Sequence, residues 1–409
     1  MNLWSRLKKI KIDESRQGNK PVEPILVLAP MADVTDIAFR TVINKCGKPD
    51  VFWTEFVSAD GLVLAPNNNP DQLGVTSQDK LRSNLKFNKN EKPIVAQVFG
   101  SNARNIKKTA RLIRKMDFDG IDINMGCPDR SIEKQGCGAA MIKNPIKAHE
   151  IVWAAKDGVG YEISIWLFLY YTIRFIKSFS DKLFGYNQNP ISVFWQHIIN
   201  LFSFKLQTRI SVSAKTRLGY NQDVLESWLP KLLETYPELI TIHARTRKQM
   251  SKSMADWSRI RRAVEIRDNW YQASFFRKKI EKQHRVLIFG NGDVNSVKEA
   301  YEKSVETRCD GVMIGRGIFG NPWFFNMNYK INGGNREISI KDKFEILLEQ
   351  VKIFEKELPH RNFAIMKKHF KAYINDFEGA KELREKLMET DNSDEVKTAL
   401  DNFLNISSI

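Results

Sequence analysis

Cysteine is scarce in this 409-residue sequence, which has four thiols, at Cys46, Cys127, Cys137 and Cys309. No two of them form a CxxC pair, and none has the Cys/His spacing of a zinc finger. This pattern argues against a disulfide framework and against structural zinc. We therefore expect a protein without metal in a reducing, cytoplasmic location.

Long apolar runs are also missing. Residues 1–20 are basic and polar without an apolar stretch, which predicts no secretory signal. The most apolar segment, about 160–207, has runs shorter than the roughly 18 residues that would span a bilayer. We interpret it as an inserted two-helix hairpin packed outside the fold, with contact to a membrane surface or to a partner protein as the open alternative.

Acidic residues are too few to balance the basic ones, since 48 Asp and Glu face 64 Lys and Arg and leave a formal charge of +16. Such an excess predicts an anionic partner, either nucleic acid or an acidic membrane surface. A second inserted segment, 268–285, interleaves basic with aromatic residues. RNA binding and a solvated helix face are equally open interpretations of that segment.

Eight short apolar runs recur along the chain, each followed by a turn and then by helical spacing, which is typical of βα units. They lack alternation with polar residues, as expected of parallel strands that are covered on both faces. Eight units predict an α/β protein built on a (β/α)8 TIM barrel. The runs are 25–29, 51–54, 94–98, 120–124, 210–215, 239–243, 286–290 and 311–315.

The pattern changes after residue 327. Residues 338–409 are rich in Lys and Glu, have helical spacing and contain no strand-like run, which predicts a C-terminal all-helical domain. The chain then divides into a basic extension (1–24), a barrel (25–327) with insertions at about 160–207 and 268–285, and the helical domain (338–409). Both insertions precede a strand, so we expect both to emerge on the face opposite the active site.

Residues suited to chemistry stand where the predicted strands end. Cys127 lies in a Gly-Cys-Pro turn after the fourth strand, at the end where barrels place their active sites; a buried core cysteine is the alternative. Gln97 is an amide in an apolar run and needs a partner, such as a flavin edge or the backbone. Lys215 ends the fifth strand, where a lysine is rarely buried without an anion; it could neutralise the charge of a reduced flavin.

Further candidates follow the last three strands. His243 and Arg245 offer a ring nitrogen and a cation after the sixth. Glycine-containing turns follow the seventh and eighth, between which many barrels bind phosphate. Because the sequence contains neither a Walker loop nor a dinucleotide fingerprint, these turns favour a mononucleotide such as FMN.

Taken in order, these motifs resemble the bacterial-type tRNA-dihydrouridine synthases. The resemblance continues into Lys367-Lys368-His369-Phe370-Lys371-Ala372-Tyr373, which is similar to the C-terminal helical domain of that family. The matching motifs in the barrel are Ala29-Pro30-Met31-Ala32-Asp33, Thr54-Glu55-Phe56, Gln97-Val98-Phe99-Gly100, Asn124-Met125-Gly126-Cys127-Pro128, Lys215-Thr216-Arg217-Leu218-Gly219, His243-Ala244-Arg245-Thr246, Asn291-Gly292-Asp293 and Gly315-Arg316.

The resemblance implies an FMN enzyme that uses NADPH to reduce selected uridines of tRNA to 5,6-dihydrouridine. Hydride would pass from flavin N5 to uracil C6, and Cys127 would donate the proton to C5. Asn124 and Arg245 are the candidates for holding uracil, and we expect a monomer. By motif, the FMN ligands would be Pro30, Met31, Ala32, Gln97, Lys215, His243, Asn291, Gly292, Asp293, Gly315 and Arg316.

The helical domain has roughly as many acids as bases, so its positive charge is confined to one cluster. Two other functions stay open: the same barrel acting on a free pyrimidine or another small unsaturated substrate, and an RNA-binding module without catalysis. The basic surface argues against the first, and Cys127 argues against the second. The cluster consists of His360, Arg361, Lys367, Lys368, His369 and Lys371, of which Arg361, Lys367, Lys368 and Lys371 are the predicted tRNA contacts.

Overall fold

Eight parallel strands form a closed ring in the computed structural model, which describes residues 3–18, 22–64, 76–160 and 210–406. Each strand pairs with its neighbours in chain order, and β8 pairs with β1. The first two strands meet at a bridge between Val27 and Val51, next to which Leu28 N donates to Val51 O at 3.2 Å. The strands are β1 Ile25–Leu28, β2 Phe52–Ser58, β3 Ile94–Phe99, β4 Gly120–Asn124, β5 Ser211–Arg217, β6 Leu239–His243, β7 Leu287–Asn291 and β8 Gly311–Ile314.

The strands are buried on both faces, which explains why their sequences are apolar without alternation. Every residue of β1, β4, β7 and β8 is buried. The predicted barrel and its eight strands are confirmed. Four strands run further than predicted: β2 to Ser58, β3 to Phe99, β5 to Arg217 and β7 to Asn291. In β2 and β5, polar residues such as Glu55 and Thr216 interrupt the apolar pattern before the strand ends.

Helices connect successive strands on the outside of the barrel. In α5, Ile106, Ala110 and Ile113 recur at helical spacing and are buried, and the Asn102 side chain caps the first turn. The helices are α1 Leu3–Gly18, α2 Ile37–Cys46, α3 Ala59–Leu64, α4 Ser77–Ser83, α5 Ala103–Lys115, α6 Arg130–Lys134, α7 Pro145–Gly158, α8 Leu225–Leu233, α9 Ser258–Gln272, α10 Phe275–Gln283, α11 Val297–Thr307, α12 Ile340–Glu357, α13 Ala364–Tyr373, α14 Ala380–Glu389 and α15 Ser393–Ile406.

The first helix, α1, closes the bottom of the barrel, where the strands begin. Trp4 is 1% exposed and packs on Trp53 and Phe289, with ring centroids 5.8 and 5.5 Å away. Its Nε1 donates to Ser211 Oγ at 2.5 Å. Part of the segment predicted as a basic extension is therefore a component of the barrel core.

The last four helices form the predicted C-terminal helical domain. Its core includes Phe344, Phe377 and Phe403, whose ring centroids lie 5.6 to 5.9 Å apart. The longest of these helices, α12, packs against α2 of the barrel. In the described parts of the chain, no helix combines the length and the apolarity needed to cross a membrane.

Of the two predicted insertions, the second lies within the described residues and the first does not. The hairpin predicted at 160–207 lies outside the described residues, apart from Gly160 at its start. The second insertion forms the end of α9, all of α10 and the connection to β7. Two of its aromatics serve the fold, because Trp270 and Tyr271 are buried and Tyr271 Oη donates to His284 O at 3.1 Å, whereas Phe275 is exposed.

Candidate functional site

The barrel brings the predicted site residues to one end, as parallel strands require. Gln97 lies opposite Asp122 in the register of β3 and β4, and Asn124 lies opposite Lys215 in that of β4 and β5. His243 lies opposite Asn291 where β6 and β7 end. The turns with Pro30, Met31 and Ala32 and with Gly315 and Arg316 follow β1 and β8, which are also neighbours.

A buried network of amides and one carboxylate forms the floor of the mouth. Gln97 Nε2 donates to Asp122 Oδ2 at 2.6 Å, and Asn124 Nδ2 donates to Gln97 Oε1 at 2.8 Å. Ser213 Oγ donates to the other oxygen of Asp122 at 2.6 Å. The sequence analysis missed Asp122, although a carboxylate between two isoleucines of an apolar strand is a visible signal.

Asn124 also positions the cysteine. Its Oδ1 accepts from Gly126 N at 3.0 Å and from Cys127 N at 2.9 Å, which fixes the turn after β4. Gly138 packs against this turn in a left-handed conformation, and a Cβ there would lie 2.7 Å from Cys127 O. The structure therefore gives Asn124 a positioning contact, and its contact with uracil stays a prediction.

The Cys127 thiol is partly exposed at the mouth. Burial raises its pKa above the ordinary value of 9.0, against the lowering effects of the Asp129 backbone N–H and of the Arg217 and Lys215 charges; the Asp129 carboxylate adds a smaller raising effect. The thiol is therefore protonated at neutral pH, as a proton donor must be. Arg217, which the sequence analysis did not single out, joins the turn through its Nε, which donates to Gly126 O at 2.7 Å.

Lys215 lies on β5, opposite Asn124 of β4. Among the described residues its ammonium makes no hydrogen bond and no ion pair. Burial and, to a smaller extent, the Arg217 charge lower its pKa from 10.5 to about 8, while the charges of Asp122 and Cys127 oppose this shift. A desolvated, uncompensated cation of this kind is suited to an anionic ligand.

His243 is neutral. Burial and the cations around it, Lys215, Arg217 and Arg245 among them, hold the pKa of its imidazole well below 6.5. Arg245 Nη1 lies 3.1 Å from His243 Nε2, and because arginine only donates, Nε2 accepts and Nδ1 carries the proton. That proton is available to a ligand.

Arg245 is held in place by an ion pair with Asp293, whose other oxygen accepts from Arg316 Nη2 at 2.7 Å. Asp293 and Gly292 both have positive φ, 46° and 129°. A Cβ at Gly292 would lie 2.8 Å from Ala255 Cβ, so the turn requires glycine.

The two glycine turns present free backbone donors. In the described parts of the chain, the N–H groups of Gly292, Asp293, Arg316 and Gly317 have no acceptor. Asn291, by contrast, uses its side chain to donate to Met313 O at 2.8 Å, which ties β7 to β8. Unpaired N–H groups beside an arginine form a suitable cradle for a phosphate.

Residues 27–167 and 198–407 match the family model described as dihydrouridine synthase. The chain belongs to the dihydrouridine synthase family. Its members are oxidoreductases, and this chain is one of them.

Curated relatives match along almost the whole chain. A probable tRNA-dihydrouridine synthase of Staphylococcus aureus (strain MRSA252) is 31% identical over 405 residues, which covers 98% of this chain and 95% of the relative. Probable tRNA-dihydrouridine synthase 2 of Bacillus subtilis (strain 168) is 31% identical over 381 residues, which covers 93% of this chain and 94% of the relative. The family model leaves 168–197 unmatched, inside the segment predicted to be an insertion.

In this member of the dihydrouridine synthase family, Arg361 turns inward from the helical domain. It donates to Glu55 Oε2 at 2.8 Å and to Asp33 Oδ1 at 2.6 Å, and its side chain is 11% exposed. Asp36 lies 3.9 Å away, and burial together with Glu55 raises the pKa of Asp36 to about 7. Arg361 therefore joins the helical domain to the loop after β1, and its contact with tRNA stays a prediction.

The other predicted contacts lie on α13. Lys371 is exposed, whereas Lys367 and Lys368 lie near Asp391 (3.5 Å) and Asp33 (3.7 Å). The inclusion of His369 in the positive cluster was wrong. Its ring is buried between Phe39 and Phe319, and burial lowers its pKa to about 3, so it is neutral.

Proposed function

We propose that this enzyme reduces the C5–C6 double bond of specific uridines in tRNA, with FMN as its bound flavin, NADPH as the reductant and Cys127 as the proton donor. The observation that carries the proposal is that a protonated thiol, Cys127, and a desolvated cation, Lys215, lie in the same mouth of the barrel, close enough for each to affect the pKa of the other. The family supports dihydrouridine as the product. The names of the curated relatives support tRNA as the substrate and a cytoplasmic location.

The residues present fit FMN. The free N–H groups of Gly292, Asp293, Arg316 and Gly317, with the Arg316 guanidinium, would hold its phosphate. Met31 and Gly315 would lie along the flavin ring. Gly315 has no side chain, and a Cβ built on it would lie 3.7 Å from Met31 Sδ, so the surface between them is flat. Lys215, Gln97 and the Nδ1 proton of His243 would face the polar edge of the flavin.

A bound flavin would supply the hydride that adds to C6 of uracil. Cys127 then delivers the proton to C5, which completes the two-electron reduction and leaves a thiolate. Lys215 and Arg217 lie close enough to lower the free energy of that thiolate. The target base must leave its stack to reach this position, and the exposed lysines of α13 would hold the surrounding tRNA.

The test is the dihydrouridine content of unmodified tRNA after incubation with purified protein, FMN and NADPH, with NADH in parallel. We expect product from the wild type and a loss of about 10²- to 10⁴-fold in Cys127→Ala, because a positioned acid contributes that much. Cys309→Ala, at the start of β8, is the matched control and should keep the wild-type rate.

Two outcomes would contradict the proposal. If NADPH reduces the bound flavin but no tRNA is modified, the enzyme acts on a small unsaturated substrate. If Cys127→Ala modifies tRNA at the wild-type rate, the proton comes from another group.

A further inference from the structure

A second basic surface lies on the rim of the barrel, apart from the flavin and uracil residues. We call Lys143, Tyr220, Arg247 and Lys248 the rim cluster. They follow β4, β5 and β6, so they lie at the same end of the barrel as Cys127. None of them takes part in the reaction proposed above.

The aromatic ring holds two cations together. Lys143 Nζ lies 4.1 Å from the centre of the Tyr220 ring, and the Arg247 guanidinium carbon lies 5.3 Å from it. Each cation is attracted to the ring, which offsets the repulsion between them. Arg247 also forms an ion pair with Glu133 on α6, four residues after Asp129, which caps that helix.

The rest of the rim cluster is also fixed in place. Lys248 N donates to Tyr220 O and Arg247 N donates to Gly219 O, both at 2.9 Å, which joins the loops after β5 and β6. Within the described residues, Lys143 and Lys248 have no carboxylate partner. The rim cluster is therefore rigid and positively charged, as a phosphate-binding surface requires.

The rim cluster faces the helical domain across the mouth. In a ring of eight strands taken in chain order, β5 and β6 lie opposite β1 and β2. The helical domain contacts the ends of β1 and β2 through Arg361, which binds Asp33 and Glu55. A nucleic acid strand that sends one nucleotide into the mouth continues on both sides of it, so its phosphates must cross the rim twice.

A cavity of about 520 Å³ adjoins Lys248. In the described structure, the side-chain amides of Asn221 and Gln222 in its wall have no hydrogen-bond partner. Such amides are suited to the edges of nucleobases. The cavity gives a nucleoside room beside the cations that would hold its phosphate.

We propose that the rim cluster binds phosphates of the RNA strand that flanks the target uridine, on the side of the mouth opposite the helical domain. This rests on the function proposed above. The bound group is a phosphodiester of a single-stranded or distorted segment, whose adjacent nucleoside lies over the cavity.

The first test compares tRNA affinity in Lys143→Gln/Lys248→Gln with that in Lys108→Gln/Lys298→Gln, which removes the same charge from exposed positions on α5 and α11. We expect the rim variant to bind tRNA about tenfold more weakly, with a salt dependence that is less steep by about 1 to 2 in slope, because two phosphate contacts are lost. The control pair should match the wild type. FMN titration checks that both variants keep the flavin site.

The second test addresses the ring. Tyr220→Leu should weaken tRNA binding because the two cations are no longer held together, whereas Tyr220→Phe keeps the ring and should restore the affinity. Equal affinities and salt slopes in the wild type and the rim variant would overturn the inference.

Two further outcomes separate this inference from the function it rests on. If the wild type makes dihydrouridine while the rim variant keeps its tRNA affinity, only the rim assignment fails. If the variant loses heparin affinity to the same extent as tRNA affinity, the rim is a general anion surface and the assignment to the flanking strand is overturned.

Discussion

Lys156, which is buried, and Lys215, which is partly buried, share a pKa of about 8 but differ in their partners. Lys156 donates to Tyr236 O at 2.5 Å. Lys215 has no such acceptor among the described residues. An unpaired charge that lowers stability at a defined position is expected of a binding site and not of a structural core.

Lys215→Met should weaken FMN binding about tenfold to a hundredfold, the equivalent of one charge-assisted hydrogen bond. Without FMN the same variant should be more stable than the wild type at pH 7, because the wild type must keep a desolvated cation. The pKa of Lys215 is lowered from 10.5 to about 8, so the apoprotein should gain stability as the pH rises between those values. Fluorescence titration with FMN and urea unfolding measure both effects.

Lys156→Met is the matched control for this prediction. It removes an equally perturbed lysine from α7, away from the mouth, and should leave the FMN affinity unchanged. If both variants bind FMN as the wild type does, Lys215 is not a flavin ligand.

At the scale of elements, the loop after β1, the end of β2 and the helical domain meet at one carboxyl group. Asp36 caps α2 with Oδ1, which accepts from Phe39 N at 2.9 Å, while Oδ2 accepts no hydrogen bond from the described residues and lies 3.9 Å from Arg361 Nη1. Burial and Glu55 raise its pKa from 3.8 to about 7. A carboxyl with a raised pKa stabilises the fold at low pH and loses that effect as the pH rises through 7.

The Asp36→Asn variant should therefore be more stable than the wild type at pH 8, by roughly 1–4 kcal/mol, and similar to it at pH 4. Asparagine can keep the cap, so the change removes only the charge. Urea unfolding at pH 4, 6 and 8 measures the effect. A wild-type pH dependence that persists unchanged in the variant would assign the effect to another group.

The docking of α1 leads to a separate prediction. Trp4→Ala should lower the free energy of unfolding by about 3–5 kcal/mol, because it empties a buried site in the barrel core. It should leave FMN affinity unchanged, since the two sites lie at opposite ends of the barrel. Calorimetry and FMN titration on Trp4→Ala and the milder Trp4→Phe test this, and a loss of FMN affinity in a folded variant would show that the two ends are coupled.

The sequence predicted elements best where a single pattern determines them. The eight strands were found because burial on both faces leaves a continuous apolar run. The docking of α1 was not predicted, because its buried residues, Leu3, Trp4 and Leu7, are few among charged neighbours. Their partners are distant in sequence, and no local pattern reveals such contacts.

At the scale of the whole molecule, the barrel topology explains why the mouth could be predicted and the helical surface could not. Residues at strand ends, such as Lys215 and His243, must converge whatever else the chain does. The orientation of Arg361 and His369 depends on how two domains pack, and the sequence alone presents both as surface cations. Charge in the sequence is therefore a weaker guide than position in the topology.

The two basic surfaces should act independently on tRNA. Lys367→Gln/Lys371→Gln on α13 and Lys143→Gln/Lys248→Gln on the rim have no shared contacts, so their effects on the binding free energy should add to within about 0.5 kcal/mol. Affinities of the two double variants and of the quadruple variant complete the cycle. A quadruple variant that binds no more weakly than either parent would show that the tRNA uses one surface at a time.

The bottom closure by α1 has a consequence for biosynthesis. Lys8 of α1 pairs with Asp310, 302 positions later, and Trp4 packs on Phe289, so α1 docks onto strands that are synthesised long after it. At ribosomal speeds of about 5–20 residues per second, that delay is roughly 15–60 s. During this time the nascent chain would carry an uncovered tryptophan and two leucines, an apolar surface of the kind that chaperones bind.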